Sequence, residues 1–248
     1  MEFAVILLSL ALLVSVEGAG EKSVASKLKL CKADDPNLDE CFRDAVETAF
    51  RNLKDGDRSL GIVPIDPMFV PEMTMTRSEG PVGMTLKFIN CTHSGLSNMK
   101  VISAKVSPDR LSFDLKMKLN LFTLSGPYET NGRILVLPIV GEGIANITMY
   151  DSDIAWTFQG KHVKRDGKTY LQIEKYIVDI KPKSAYMNLG NLFNGDAVLG
   201  ETTNRFLNEN SREVIQELAP ELNAALAELH KGLAQRILDR LPMEEAFA

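Results

Sequence analysis

Few residues of this chain have the types and spacing that catalysis requires. The 248-residue sequence contains three histidines, His93, His162 and His230, and three cysteines. The GxSxG nucleophile elbow and the HExxH zinc motif are both absent from it. His93 is predicted to lie in a loop, His162 on a strand and His230 on a helix, and no sequence pattern brings the three together. The sequence therefore predicts a protein that is not an enzyme and that binds no metal or cofactor.

Three short segments match fragments of known binding loops but lack the residues that define them. Gly167-Lys168-Thr169 resembles the end of a phosphate-binding loop, but the motif's earlier glycine is replaced by His162. Gly141-Glu142-Gly143 lacks the third glycine of a dinucleotide fingerprint, and Asp151-Ser152-Asp153 lacks the glycine and the closing glutamate of a calcium loop. A net charge of −5 with interspersed signs gives no electrostatic argument for binding nucleic acid.

The beginning of the chain has the pattern of a secretory signal peptide. An apolar run from Phe3 to Val16 is too short to span a bilayer comfortably and is followed by small residues at positions 18–20. Residues 1–18 are therefore predicted to be removed, with a retained anchor as the alternative. Residues 19–248 are expected to form a single secreted domain with no stable membrane insertion.

Secretion determines how the cysteines and the glycosylation sequons are interpreted. In an oxidising compartment Cys31 and Cys41 can pair, since they lie ten positions apart. Cys91 is expected to be a buried free thiol, with intermolecular pairing as the alternative. Asn146 and Asn90 each begin an Asn-X-Thr sequon and are candidate glycosylation sites, Asn146 being the better one because it is predicted to point away from the apolar face.

The middle of the chain, from about Pro81 to Lys181, is predicted to be an antiparallel meander. Apolar residues alternate with polar ones from Leu111 to Leu121, which is the period of a strand with one buried face. A second alternation changes phase near Asp151–Asp153 and indicates a bulge or bend. Arg165–Lys168 has the composition of a hairpin turn. The face opposite the apolar residues is predicted to contact water.

Helical patterns flank this meander. A short helix is predicted after Pro36, with Asn37 as its N-cap and Gly56 at its end. Leucines and isoleucines at eleven-residue spacing predict one long helix from Asn204 to Leu241, which Pro220 should kink. Such a helix would extend roughly 55 Å at about 1.5 Å per residue. The simplest way to bury both apolar surfaces is an α+β fold in which the sheet curls around the helix.

Several segments resemble the insect takeout and haemolymph juvenile hormone-binding protein family. They are Cys31 with Cys41, Ile65-Asp66-Pro67-Met68, and the run from Asn191-Leu192-Phe193-Asn194-Gly195-Asp196 to Phe206-Leu207-Asn208-Glu209-Asn210. The resemblance covers essentially the whole mature chain. It is closer to the takeout branch, because this chain lacks the pair of cysteines that would form the second disulfide of the hormone-binding branch. It implies a strongly curved, long-stranded antiparallel sheet wrapped around one long C-terminal helix, with a short disulfide-tethered N-terminal helix.

The same resemblance implies a secreted carrier of a small hydrophobic ligand, such as a terpenoid, a prenyl chain or a long acyl chain. The ligand would occupy an apolar cavity between the sheet and the long helix, lined by Phe113, Leu115, Met117, Met149, Trp156, Phe158, Ile215, Leu218, Leu222 and Leu226. Tyr128 and Tyr150 are candidates for binding its polar end. The alternative is a solid core, in a secreted interaction protein that presents its surface to a receptor.

Overall fold

The computed structural model describes residues 24–58, 61–78 and 82–247, so the predicted signal peptide lies outside the described part of the chain. Within these ranges four α-helices and seven strands are present, together with single 3₁₀ turns. The helices are α1 (Leu38–Asn52), α2 (Ala197–Glu209), α3 (Ser211–Leu238) and α4 (Met243–Ala246). The strands are β1 (Met68–Arg77), β2 (Val82–Ser94), β3 (Lys100–Val106), β4 (Ser112–Ile134), β5 (Leu137–Arg165), β6 (Lys168–Lys181) and β7 (Ser184–Leu189).

The strands form one antiparallel sheet built on the two longest, β4 and β5. These pair in register from Ser112–Gln159 to Ile134–Leu137. Strands β3 and β6 extend one half of this ribbon, whereas β1, β2 and β7 extend the other half. The meander is confirmed, including the turn between β5 and β6, where Asp166 and Gly167 both have positive φ as a two-residue hairpin requires. Strands β1 and β7 lie beyond the predicted limits of the sheet.

The long ribbon bends at its middle, where the two halves of the sheet meet. Asp151 adopts a φ of 49°, and the neighbouring Tyr150 is exposed on the same surface. This confirms the change of phase predicted near Asp151–Asp153. The paired strand changes phase at the same level, so Leu121, predicted to be buried with its alternating neighbours, is 49% exposed and Phe122 is buried instead.

The sheet curls around α3, which confirms the predicted fold class. Strands β1 and β6 lie at opposite ends of the strand order, yet both pack against α3. On one side Arg77 of β1 forms ion pairs with Glu217 and Glu221 at 3.4 and 3.3 Å. On the other side the backbone N–H of Ile180 in β6 donates to the Asn223 side-chain carbonyl at 3.1 Å.

The predicted single C-terminal helix is instead two helices, which is a correction. Helix α2 ends at Glu209, and α3 begins at Ser211. Between them Asn210 has φ −109° and ψ 21°, and its side-chain amide donates to the Phe206 carbonyl at 2.8 Å. An asparagine side chain that bonds to the backbone in this way competes with the helical pattern. Pro220 lies inside α3, which continues past it to Leu238.

Side-chain amides of the helices cover the free edges of the sheet. The amides of Asn204 and Asn208 in α2 each donate to and accept from one backbone residue of β7, at 2.7–2.9 Å. Gln235 in α3 binds the edge of β6 in a similar way: its side chain accepts from the backbone N–H of Ile173 at 2.7 Å and donates to the backbone carbonyl of Leu171 at 3.2 Å. Exposed strand edges otherwise invite association with other chains. The asparagines of the FLNEN segment thus have a structural role.

Helix α1 closes the other end of the sheet. It begins at Leu38, where the sequence predicts, but the Asn37 side chain makes no capping hydrogen bond, and the helix ends at Asn52, before Gly56. The predicted disulfide is present between Cys31 and Cys41, and it ties the N-terminal arm to the first turn of α1. Cys91 is buried and unpaired, as predicted.

The Ile65–Met68 segment positions the loop between β2 and β3. The Asp66–Pro67 peptide is cis, and the buried Asp66 carboxylate accepts hydrogen bonds from the backbone N–H groups of Gly95 and Ser97 at 3.0 and 2.9 Å and from the Ser97 hydroxyl. Burial alone would raise the pKa of Asp66, but these hydrogen bonds outweigh it and lower the pKa.

Candidate functional site

An apolar cavity of about 210 Å³ lies between α1, the α3 C-terminal half and the half of the sheet that contains β6. The N-terminal arm also contributes to its wall, where the lining residue Leu30 is 40% exposed and so marks the mouth. Aliphatic and phenyl side chains make up almost all of the lining. Among the described lining residues, side-chain oxygen or nitrogen atoms belong only to Lys29, Trp156, Tyr176 and His230.

Cross-strand aromatic pairs of the sheet form one wall of this cavity. Phe113 of β4 lies opposite Phe158 of β5, and the two rings stack with centroids 4.6 Å apart. Leu115 pairs with Trp156 one step further along the same face. Phe42 of α1 completes the cluster, with its ring centroid 5.1 Å from that of Phe113. Directly opposed side chains on one face of a sheet are close enough to hold such a wall together.

The structure separates the ten predicted lining residues into three groups. Phe113, Leu115, Trp156 and Phe158 line the main cavity, and Leu226 lines a second cavity of about 10 Å³ further into the sheet. The other five contribute to neither lining: Met117, Met149 and Leu222 are buried in the core, and Ile215 and Leu218 pack against it. The interior is therefore hollow near α1 and filled beside the first half of α3.

Methionines account for much of the filling in the packed half. Met73, Met75, Met84 and Met187 are buried there, whereas Met243 is the one methionine among the described residues that line the main cavity. Flexible, polarisable methionine side chains fill irregular gaps well. Their number in the sequence thus reflects the solid half of the core and not the cavity wall.

Sequence reasoning missed most of the wall that α1 and the C-terminal segment provide. Phe42, Val46 and Phe50 of α1 line the cavity, as do Met243 and Phe247 beyond α3. The amphipathic pattern of α1 indicates that one face of the helix is buried, but it does not predict which part of the sheet the helix covers. The Cys31–Cys41 disulfide fixes the N-terminal arm beside α1, so it was a signal that the arm contributes to the mouth of the cavity.

Neither tyrosine that was expected to bind a ligand's polar end lines the cavity. The Tyr128 hydroxyl donates to the backbone carbonyl of Gly190 at 2.9 Å, and burial raises the pKa of Tyr128 to about 12. Tyr150 is 39% exposed on the outer surface. Tyr176 does line the cavity, and burial raises its pKa above the ordinary value, which keeps the hydroxyl protonated.

Two of the three histidines meet in the interior, although no sequence pattern brings them together. His93 is fully buried on β2, not in a loop, and its ring centroid is 5.3 Å from that of His230 on α3. His162 is exposed on β5. Burial lowers the pKa of His230 to about 4 and that of His93 well below its ordinary value, with a smaller contribution from the neighbouring histidine. Both imidazoles are therefore uncharged at neutral pH.

Two properties of the described residues bear on the class of site. No group of three or more His, Cys, Asp or Glu side chains in residues 24–58, 61–78 and 82–247 is arranged to hold a metal ion. Across the same ranges, none of the helices combines the length and the apolar character needed to cross a membrane. What the geometry offers is a partly enclosed, mostly apolar cavity, which suits binding of an apolar molecule.

Comparison with known proteins places the chain in a family. The model of the haemolymph juvenile hormone binding protein (JHBP) family matches residues 6–248. The chain is 28% identical over 244 residues to the circadian clock-controlled protein daywake of Drosophila melanogaster, covering 94% of this chain and 92% of that protein. It is 22% identical over 219 residues to a putative beta-carotene-binding protein of Schistocerca gregaria, covering 87% and 86%.

A solved structure shows the same fold. The crystal structure of Epiphyas postvittana Takeout 1 superimposes with a TM-score of 0.77 at 24% identity, covering 88% of this chain and 98% of that one. Because the family model matches nearly the whole sequence, this chain belongs to the haemolymph juvenile hormone binding protein family.

Proposed function

We propose that this protein is a secreted carrier that holds a small hydrophobic ligand in the cavity between α1, the sheet and α3. The observation that carries the proposal is the apolar cavity of about 210 Å³, enclosed by the aromatic wall of β4 and β5. The family to which the chain belongs consists of hydrophobic ligand binders and not of enzymes. A terpenoid, a prenyl chain or a long acyl chain is the ligand class that such a lining favours.

The cavity volume limits what can be enclosed. An apolar cavity of about 150 Å³ lined by Leu, Ile and Phe is known to stay dry and to bind benzene. The present cavity of about 210 Å³ is larger, so it can hold a ring or a short branched chain without rearrangement. Each methylene group transferred from water contributes about 0.8 kcal/mol. A longer prenyl or acyl chain would extend through the mouth near Leu30.

Secretion is part of the same proposal. The Cys31–Cys41 disulfide is stable in an oxidising compartment, and the family name refers to haemolymph. The glycosylation candidates Asn90 and Asn146 are both exposed, so both are accessible to the glycosylation machinery. Treatment of the secreted protein with an N-glycosidase should convert both asparagines to aspartate, and peptide mass spectrometry reads each site separately.

Recovery of the protein from the medium of insect cells tests the carrier proposal. Native mass spectrometry after gentle purification should show a bound apolar species that denaturation and solvent extraction release. The emptied protein should then bind N-phenyl-1-naphthylamine with a one-to-one endpoint. Trp156, the single tryptophan of the chain, lines the cavity, so its fluorescence should change on binding. A protein that carries no ligand and does not respond to the dye would overturn the proposal.

A further inference from the structure

Three nitrogen-bearing rings meet at the inner end of the cavity. The His230 ring centroid lies 5.1 Å from that of Trp156 and 5.3 Å from that of His93. They belong to α3, β5 and β2, so only the tertiary fold brings them together. Phe50 packs edge-on against Trp156 and Phe122 against His93, and the Tyr176 ring centroid lies 6.0 Å from that of Trp156.

None of the nitrogens in this cluster has a hydrogen-bond partner among the described residues. These are both ring nitrogens of His93, both of His230, and Nε1 of Trp156. The residues themselves are 0%, 4% and 7% exposed. Native proteins pair the great majority of buried polar atoms, so five unpaired nitrogens in one cluster require an explanation.

The position of the cluster in the cavity supplies that explanation. Trp156 and His230 line both the main cavity of about 210 Å³ and the second cavity of about 10 Å³, so they form the wall between the two. The rest of the second cavity is lined by apolar side chains such as Leu119, Phe122 and Leu226. A ligand that enters from the mouth near Leu30 therefore reaches the Trp156 and His230 side chains at the inner end of a mostly apolar path.

The chemistry of the cluster selects the group that it can accept. Each uncharged imidazole carries one N–H and one bare nitrogen, and the indole adds one N–H, so donors outnumber acceptors. An ionised carboxylate would need a cation in this apolar interior. The cationic side chain of the described lining, Lys29, is on the N-terminal arm and pairs with Asp44 at 2.9 Å. An uncharged oxygen, as in a hydroxyl or a carbonyl, matches the cluster.

We propose that His230 and Trp156, backed by His93, form a polar subsite that binds the uncharged oxygen of a hydrophobic ligand. The inference rests on the proposed carrier function and adds the ligand's polar group and its orientation. The oxygen enters first and the hydrocarbon part remains toward the mouth. Because the nitrogens are closed off in the present conformation, the His230 ring turns toward the cavity as the ligand enters.

A matched pair of ligands separates polar recognition from simple burial. Affinities of 2-nonanone and n-nonane are measured by displacement of N-phenyl-1-naphthylamine from wild type, His230→Leu and Trp156→Phe. Both variants keep an apolar side chain and remove the nitrogen. The ratio of ketone to alkane affinity should fall about tenfold in each, while alkane affinity changes less than about twofold. His162→Leu, which removes an exposed imidazole, should leave the ratio unchanged.

The other possible results of these measurements would refute the polar subsite, the carrier function or the preference for an uncharged group. A ketone-to-alkane ratio that stays at the wild-type value in both variants would refute the polar subsite and leave the carrier function standing. Wild-type protein that binds neither compound nor dye would refute the carrier function itself. Tighter binding of nonanoate than of 2-nonanone would show that the subsite prefers a charged group. The melting temperature of His230→Leu should rise, because unpaired buried nitrogens are removed; a fall with loss of both ligands would show a structural role.

Discussion

Substitution of Ala234 by leucine tests directly whether the interior is hollow. Ala234 lies on α3 and lines the cavity of about 210 Å³, so leucine would add three carbon atoms to that space. A ligand would then have to leave about three of its carbon atoms outside the cavity. At about 0.8 kcal/mol for each methylene, the expected loss is about 2.4 kcal/mol, or about 50-fold in Kd.

The same substitution should stabilise the unliganded protein. The added carbons occupy existing empty space and become buried, which contributes up to about 2 kcal/mol to the free energy of unfolding. In a solid core the same carbons would overpack their neighbours and cost about 1–3 kcal/mol. Weaker binding together with greater stability is therefore the result expected of a cavity, and a filled interior cannot produce it.

Two measurements on the same samples decide between these outcomes. Urea denaturation followed by Trp156 fluorescence gives the free energy of unfolding, and dye titration gives the affinity. Ala224→Leu is the matched control, because Ala224 is exposed on the same helix and a surface change should stay within about 0.5 kcal/mol. If Ala234→Leu destabilises the protein while its dye affinity stays at the wild-type value, the interior beside Ala234 is filled and does not bind the dye.

Three further predictions concern what holds the fold together. Asn208→Ala removes both bonds to the β7 edge and should lower the free energy of unfolding, read by urea denaturation, by about 1–3 kcal/mol. The pKa of Asp66 is lower in the folded state than in the unfolded state, owing to hydrogen bonds from residues 95–97 that outweigh burial. Its contribution is therefore complete above the unfolded-state pKa and is lost as pH falls through the folded-state pKa; Asp66→Asn should flatten this acid dependence in melts recorded from neutral to acidic pH. Replacing Cys31 and Cys41 by serine should cost about 2–3 kcal/mol, and reductant should then leave the melting temperature unchanged.

Local sequence patterns predicted a large part of the fold. The alternation in β4 and β5, the Asp166–Gly167 turn and the phase change near Asp151 each depend on a few neighbouring residues, and each is confirmed. The same holds for the start of α1 and for the disulfide. Such features can be predicted because period-two burial, positive φ and short loop closure act over short stretches of chain.

Features that depend on distant contacts were missed or placed wrongly. The helix breaks at Asn210 although the apolar repeat in the sequence continues through this position. The break occurs because Asn204 and Asn208 hold α2 on the β7 edge, while α3 packs inside the curled sheet. Leu121 follows the strand period in the sequence, yet the bend in the paired ribbon turns it outward.

The division of the interior was decided by the tertiary structure alone. Apolar periodicity predicts burial for Met149 and Leu222 in the same way as for Phe113 and Phe158, and the first three are buried while Phe158 is partly buried. Whether buried residues meet across a filled core or face a cavity depends on the spacing between α1, α3 and the sheet, which no local pattern encodes.

The sequence by itself determined the central strands, the first helix, the one-sided sheet, the disulfide and the family, since these follow from local spacing and from motifs shared with relatives. Only the tertiary structure decided that the hollow part lies beside α1 and that His93 meets His230 next to Trp156. These residues come from separate elements that the curled sheet brings together around α3. The positions of these side chains relative to one another therefore depend on how the helices pack into the curled sheet.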